Sequence, residues 1–156
     1  GALLVQYTGH SSWQQWAHER FFHLDDLLSL ANSRRYPVVA GMTCLTGAFH
    51  RPEPTLDEAL VTRPEAGAVA AWGPTGLGAS AGHQRLSVGF FRAVFSDTVG
   101  TVGEATLAGK LNLAGAPMGS DLLDTFVLLG DPALRWNRAL VPWATHVFLP
   151  LVQRQR

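Results

Sequence analysis

One short apolar run constrains the fold of this chain more than any other feature. Residues Val38 to Met42 form an uninterrupted apolar segment that follows Pro37 and begins with β-branched side chains. Such a run is typical of a strand that is buried on both faces of a parallel sheet. Proline is tolerated at the start of a strand because its missing N–H costs little there. The sequence therefore predicts a central strand that brings Cys44, the only cysteine, to the carboxyl edge of a sheet.

A second apolar run, Leu3 to Tyr7, leads to His10 in the same way. Between the two runs, Leu24 to Asn32 has apolar residues at helical spacing, which predicts a crossover helix. Strand, helix and strand make a βαβ unit, whose crossover is right-handed and whose strands are parallel. Because adjacent strands lie about 4.8 Å apart, His10 and Cys44 are expected to meet at one edge of the sheet. An imidazolium beside a thiol favours the thiolate, so this pair predicts nucleophilic catalysis.

The rest of the chain alternates between strand-like and helix-like segments, which predicts an α/β fold with a mostly parallel sheet flanked by helices. Two helices are expected to start with capping boxes, at Thr55 with Glu58 and at Thr101 with Glu104. The further predicted elements are a helix from Leu56 to about Thr62, a strand from Ala66 to Trp72, helices from Arg85 to Phe95 and from Thr101 to about Leu113, a short helix or strand from Asp121 to Leu129, and an edge strand from His146 to Val152.

Length and composition restrict the class of protein. The 156 residues correspond to one domain, and 47% of them are hydrophobic, which is enough for a core. The formal net charge is zero and the basic residues are dispersed, which argues against a nucleic-acid partner. No apolar run is long enough for a membrane span. The chain opens directly in an apolar strand without Met, so we expect a part of a longer protein whose first strands precede Gly1.

Five sequence blocks occur in an informative order between about Val5 and Trp136. They are Tyr7 to Ser12, Pro37 to Phe49, Asp57 to Leu60, Gly67 to Ala70, and Leu123 to Phe126 running into Gly130 to Leu134. In composition and order these blocks resemble the gingipain family of cysteine peptidases, which belongs to the caspase-like group. The resemblance implies a three-layer α/β/α sandwich. It also implies that residues 1–137 are the C-terminal part of a caspase-like peptidase domain and that 138–156 are a C-terminal extension.

The resemblance also assigns roles at the site. His10 matches the catalytic histidine of the family and Cys44 matches its nucleophile, while the backbone N–H groups of Ser11 and Cys44 match the oxyanion hole. The implied reaction is hydrolysis of a peptide bond through a thioester. It requires no cofactor, and the sequence does not indicate whether calcium is bound. The family commonly has Gly where this chain has Ser11, and the acidic residue that supports the histidine lies upstream of it, outside this chain.

The resemblance further implies a protein or peptide substrate and a secreted or surface-bound bacterial protein. Residue preference at the cleavage site, activation and oligomeric state do not follow from the sequence. An inactive peptidase-like domain that serves as a scaffold or binding module is the main alternative. Ser11 favours that alternative, whereas the presence of both His10 and Cys44 opposes it.

Two other interpretations rest on single motifs. Gly78 to Gly82 has the Gly-x-Ser-x-Gly pattern of serine hydrolases, with Ser80 as nucleophile, and Asp124 or Asp131 and then His146 would follow in the order that such enzymes use. Three histidines near the same edge of the sheet, His18, His23 and His50, are candidate zinc ligands, although no His-x-x-x-His pair occurs among them. Asp57 and Glu58 are interpreted as helix N-terminal residues, and Asp131 as the cap of a turn.

Overall fold

The computed structural model describes residues 2–137, and the structural statements below concern those residues. The elements in chain order are β1 (Leu4–Thr8), β2 (Gln15–Trp16), β3 (Phe22–His23), a 3-10 helix (Leu24–Ser29), β4 (Val38–Met42), α1 (Leu56–Thr62), β5 (Ala70–Pro74), α2 (Ser80–Phe95), α3 (Val102–Ala114), α4 (Leu122–Thr125) and β6 (Phe126–Leu129). Strands β1, β4, β5 and β6 form one sheet in that order. The first three are parallel and β6 is antiparallel to β5, which confirms the mostly parallel sheet.

Strand β4 lies inside the sheet, and all five of its residues are buried. Val38 and Met42 pack on one face into a core formed with α2 and α3, which includes Phe90. Val39 packs on the other face with α1 and the 3-10 helix, where Leu56 belongs to the same core. Because both faces are covered by helices, the chain is a three-layer α/β/α sandwich, and this burial explains why the sequence of β4 is apolar throughout.

The crossover between β1 and β4 differs from the prediction. The expected helix from Leu24 to Asn32 is wrong in type and length, since the segment forms a 3-10 helix that ends at Ser29. Leu27 is buried, but Leu28 is 76% exposed. A 3-10 helix has three residues per turn, so Leu24, Leu27 and Leu30 lie on one face and pack into the core, whereas Leu28 points away from it. The aromatic residues before it form a two-stranded antiparallel sheet of β2 and β3.

The other elements follow the predictions with shifted boundaries. Helix α1 has the expected range, and Glu58 accepts a hydrogen bond from the Thr55 N–H (3.0 Å) as the capping box requires. Helix α2 begins at Ser80, earlier than expected, and β5 lies four residues later than predicted at its start. The segment before β5 bonds to α1 at Ala68, whose N–H donates to the Leu60 carbonyl oxygen (2.9 Å).

The segment from Asp121 to Leu129 contains both predicted elements, a single helical turn in α4 and then the strand β6. The second capping box is confirmed at α3, where Thr101 and Glu104 exchange hydrogen bonds of 2.8 and 3.2 Å. The expected edge strand from His146 to Val152 lies outside the described residues. Within residues 2–137, no helix has the length and apolar character needed to cross a membrane.

Candidate active site at the carboxyl edge of the sheet

His10 and Cys44 emerge from neighbouring parallel strands in the same register. The last pair between β1 and β4 joins Thr8 to Met42, and His10 and Cys44 each follow that pair by two residues. The two chain segments stay connected beyond the strands, since the Gly9 N–H donates to the Met42 carbonyl oxygen at 3.3 Å. Both residues therefore lie at one edge of the sheet, as the βαβ pattern predicts, although the predicted crossover helix is wrong in type and length.

The backbone at His10 is held by the aromatic segment that follows it. The His10 carbonyl oxygen accepts hydrogen bonds from the Tyr7 hydroxyl (2.8 Å) and from the Ala17 N–H (2.9 Å). Tyr7 also stacks on Trp16, with ring centroids 4.8 Å apart. The imidazole of His10 is exposed and has no hydrogen-bond partner within the described part of the chain. The main chain is thus fixed while the side chain is exposed to solvent.

Ser11 joins the two loops through its side chain. The Cys44 N–H donates to Ser11 Oγ at 3.0 Å, and the Ser11 hydroxyl donates to the Cys44 carbonyl oxygen. The buried Thr43 hydroxyl lies 2.8 Å from the Gly9 carbonyl oxygen and 2.5 Å from Ser11 Oγ. Ser11 does not have a positive φ, so a side chain is accommodated there without left-handed strain.

The two backbone N–H groups expected to form an oxyanion hole differ in their contacts. Among residues 2–137, no acceptor lies opposite the N–H of Ser11. The N–H of Cys44, in contrast, is already bonded to the Ser11 hydroxyl. The family resemblance assigns a role only to the backbone of Ser11, so this contact of its side chain is a finding of the structure.

The segment after the cysteine is fastened to the glycine-rich loop that follows β5. The Leu45 N–H donates to the Gly76 carbonyl oxygen (3.0 Å), and the Cys44 thiol lies 3.8 Å from the Gly78 carbonyl oxygen. Leu45 adopts a left-handed conformation with φ 63°, which is uncommon for a residue with a side chain. Such strained residues cluster at functional sites, where the surrounding structure enforces them. Cys44 itself is a partly exposed free thiol.

A buried carboxyl group supports the loop from below. Asp57 is only 1% exposed, and it accepts a hydrogen bond from the Thr46 hydroxyl (2.9 Å) through Oδ2. Its Oδ1 is buried and has no hydrogen-bond partner among the described residues. Burial raises the pKa of Asp57 to about 7, the Thr46 hydrogen bond opposes this shift, and the charge of Glu58 adds to it. The interpretation of Asp57 as a simple helix N-terminal residue therefore missed its main contacts.

Two glycines make room for this carboxyl group. A Cβ on Gly73 would lie 2.2 Å from Asp57 Oδ2, and one on Gly47 would lie 3.3 Å from the same atom. Asp57 is next to Leu56 and three residues before Leu60, and all three are buried on α1. This helical spacing is the sequence signal that the aspartate faces inward.

The serine-hydrolase interpretation finds no matching geometry. Ser80 is an exposed residue that opens α2, six residues after β5 ends at Pro74, whereas the elbow places its serine in the turn directly after the strand. Asp131 accepts a hydrogen bond from the Ala133 N–H (2.8 Å), which confirms that it caps a turn. His146 lies outside the described residues.

The three candidate zinc ligands are not grouped together in the described part of the chain. Within residues 2–137, no three His, Cys, Asp or Glu side chains are grouped so that they could hold a metal ion, which separates His18, His23 and His50. His23 instead caps the 3-10 helix, where its Nδ1 accepts the Asp25 N–H at 3.0 Å.

Comparison with known proteins agrees with this arrangement. The family profile that describes peptidase family C25 matches residues 1–137. The chain belongs to peptidase family C25. Among the relatives of this C25 chain, gingipain R2 of Porphyromonas gingivalis is 27% identical over 165 residues, which cover 96% of the chain and 22% of the relative. Gingipain R1 of the same species is also 27% identical, with 96% and 16% covered.

The C25 chain also resembles solved structures. A crystal structure of gingipain R, described as an Arg-specific cysteine proteinase, has a TM-score of 0.81 and 27% identity, covering 87% of the chain and 34% of the solved one. A complex of the pro- and mature domains of a Porphyromonas gingivalis gingipain has a TM-score of 0.80 and 26% identity, covering the same shares. These matches confirm the gingipain resemblance and the caspase-like α/β fold. The chain spans about a fifth of the length of the curated relatives.

Proposed function

We propose that this chain carries the Cys44 nucleophile and the His10 acid of a cysteine endopeptidase. The observation that supports this most is the matched position of the two residues, each two residues beyond the last pair of β1 and β4. Because the chain belongs to a peptidase family, this placement supports a role for both residues in peptide-bond hydrolysis. The strained residue after Cys44 and the buried hydrogen bonds around it are consistent with a held nucleophile.

In the proposed reaction, the Cys44 thiolate attacks the carbonyl carbon of the scissile peptide. A carbon–sulfur bond forms and the carbonyl π electrons move to oxygen, where the N–H groups of Ser11 and Cys44 stabilise the charge. The C–N bond then breaks, and the His10 imidazolium gives its proton to the leaving amine. Water hydrolyses the thioester and restores the thiol. These steps use only groups of the protein and water, so no cofactor takes part.

The proposed substrate is a protein or peptide. The solved gingipain R is described as Arg-specific, but the described residues carry no feature that assigns the same preference here, so we propose none. The similarity to bacterial gingipains supports a bacterial protein that acts outside the cell or at its surface.

The decisive experiment compares two nucleophile candidates in the protein in its complete natural form. Cys44→Ala should abolish peptidase activity and labelling by a thiol-directed activity probe, because the probe reacts with the activated nucleophile and Cys44 is the one thiol within residues 1–156. Ser80→Ala is the matched control and should retain most of both. Activity that survives in Cys44→Ala but is lost in Ser80→Ala would reverse the assignment.

The same experiment tests the alternative of an inactive peptidase-like scaffold. That alternative is favoured by one observation, the Ser11 hydroxyl on the Cys44 N–H. A wild-type protein that cleaves no peptide from a mixed library and is not labelled by the probe would support the scaffold.

A further inference from the structure

We propose that the Ser11 side chain is a gate on the oxyanion hole, and that its hydroxyl occupies the Cys44 N–H until a substrate oxygen displaces it. The inference rests on the proposed function, because this N–H matters to catalysis only if Cys44 is the nucleophile. It goes beyond the family resemblance, in which only the backbone of the residue after the histidine has a role.

The contacts of one oxygen atom carry the inference. Ser11 Oγ lies 3.0 Å from the Cys44 nitrogen, with the N–H pointing at it, so it holds the position that a substrate oxygen would need. The N–H of Ser11 itself has no acceptor in the described part of the chain. The site thus has one donor ready and one donor occupied, and the occupying group belongs to the protein.

Neighbouring groups hold the hydroxyl in this position. Its proton goes to the Cys44 carbonyl oxygen, and the Thr43 hydroxyl approaches it at 2.5 Å. The Ser11 backbone is aligned by a bridge to Trp16. Ser11 therefore bonds to both the N–H and the carbonyl oxygen of Cys44 at the same time. The hydroxyl is thus fixed at the Cys44 N–H by several contacts and is not a freely rotating side chain.

The competition at this donor depends on charge. A neutral hydroxyl and a neutral peptide carbonyl accept a hydrogen bond with similar strength, so a bound substrate gains little by displacing Ser11. An anionic oxygen accepts a bond roughly twice as strong. The hydroxyl is therefore displaced chiefly as the oxyanion develops, and the cost of displacing it slows the step that forms the tetrahedral intermediate.

Two thiol reagents distinguish an effect of Ser11 on the oxyanion hole from an effect on the reactivity of the Cys44 thiol. A peptide aldehyde, with the sequence on the acyl side of the best-cleaved substrate, adds to the Cys44 thiolate. A carbon–sulfur bond forms, and the aldehyde oxygen becomes an alkoxide that lies in the hole or takes up a proton. Iodoacetamide alkylates the same sulfur with loss of iodide and creates no oxyanion. Binding of the aldehyde and the rate of alkylation are measured in wild type, Ser11→Ala and Ser11→Gly.

Ser12→Ala is the matched control, since the Ser12 hydroxyl contacts the Gln14 N–H (3.3 Å) and not Cys44. Removal of the Ser11 hydroxyl should tighten aldehyde binding by about threefold to tenfold, the range expected for one neutral hydrogen bond. The alkylation rate should change by less than about twofold, because thiolate availability sets that rate. The control should resemble wild type in both measurements.

Several results would overturn the gate. Aldehyde binding that is unchanged or weaker in both Ser11 variants, with normal alkylation and thermal unfolding, would show that the hydroxyl does not compete. Equal changes in aldehyde binding and alkylation would show an effect on the thiol instead. If Ser11→Ala fails to fold, Ser11→Gly decides, since it carries the residue that the family commonly has there. A wild-type protein without any reaction at Cys44 would refute the proposed function, which is a separate outcome.

Discussion

Two candidate nucleophiles lie near one edge of the sheet, and their surroundings differ. Cys44 lies in a loop that contains the buried hydroxyls of Thr43 and Thr46, with the buried carboxyl group of Asp57 beneath it. Ser80 is exposed at the start of α2, and its hydroxyl has no hydrogen-bond partner among the described residues. Buried polar groups are costly unless they are bonded, so they occur where a loop must be held in one conformation. The comparison shows that motif spacing alone identifies a candidate nucleophile. Buried hydrogen-bonding groups next to the loop then distinguish a nucleophile that is fixed in one conformation from an exposed serine.

The largest expected effect comes from the titration of Asp57. Its pKa is raised from 3.8 to about 7 in the folded protein, so between these values the folded state keeps a proton that the unfolded state has lost. The free energy of unfolding should therefore fall as pH rises from about 4 to 7, by at most about 1.4 kcal/mol per pH unit. Above about pH 8, where Asp57 is mostly ionised in both states, this group contributes little further change.

Urea unfolding across this pH range measures the slope. Asp57→Asn should flatten it, because the amide does not titrate, and Asp124→Asn is a control from the exposed surface. A slope that persists in Asp57→Asn would assign the pH dependence to other groups and weaken the contrast between the two loops.

A smaller effect is expected from adding one methyl group beneath the Cys44 loop. Gly73→Ala would place a Cβ 2.2 Å from Asp57 Oδ2 and 3.1 Å from the Thr46 hydroxyl. We expect a loss of about 1–3 kcal/mol in the free energy of unfolding, as for other overpacked sites. Gly76→Ala is the control from the loop that directly follows β5, where the nearest atom to an added Cβ is 3.5 Å away. Equal losses in both variants would show that the end of β5 and the loop after it are generally sensitive to an added methyl group, and that the contact with Asp57 is not the cause.

Removing the hydroxyl of Thr46 should have a similar or smaller effect. Thr46→Val keeps the shape but leaves Asp57 without its one side-chain hydrogen bond. The expected loss is about 1–2 kcal/mol, because a buried acceptor then has no partner. Thermal unfolding at pH 8, where Asp57 is mostly ionised, should show a larger loss than at pH 5. A loss independent of pH would mean that packing, not the hydrogen bond, explains the effect.

The smallest effect is expected at the other candidate. Ser80→Ala removes an exposed hydroxyl at the first turn of α2 and should change the free energy of unfolding by less than about 0.5 kcal/mol. Chemical denaturation alongside Thr46→Val provides the comparison. A larger change would reveal a supporting network around Ser80 and would remove the distinction between the two segments.

The sequence by itself determined the strands that carry the site. The apolar runs at β1 and β4 must be buried, and parallel strands joined by a crossover present their carboxyl ends together, so His10 and Cys44 followed from pattern and topology. The capping boxes of α1 and α3 were also readable, because they depend on residues three apart in the chain. The 3-10 helix was not, since its leucine spacing fits an α-helix equally well and only packing against β4 and α1 decided between them.

Tertiary structure alone decided the contacts that hold Cys44. Ser11 is 33 residues from Cys44 and Asp57 is 11 residues from Thr46, and no local pattern links either pair. Whether a serine points to solvent or to a backbone N–H depends on how two loops meet beyond the end of the sheet. The burial that raises the pKa of Asp57 likewise arises only once α1 packs beneath the loop. Short-range rules describe the elements, but hydrogen bonds between distant segments exist only in the folded chain.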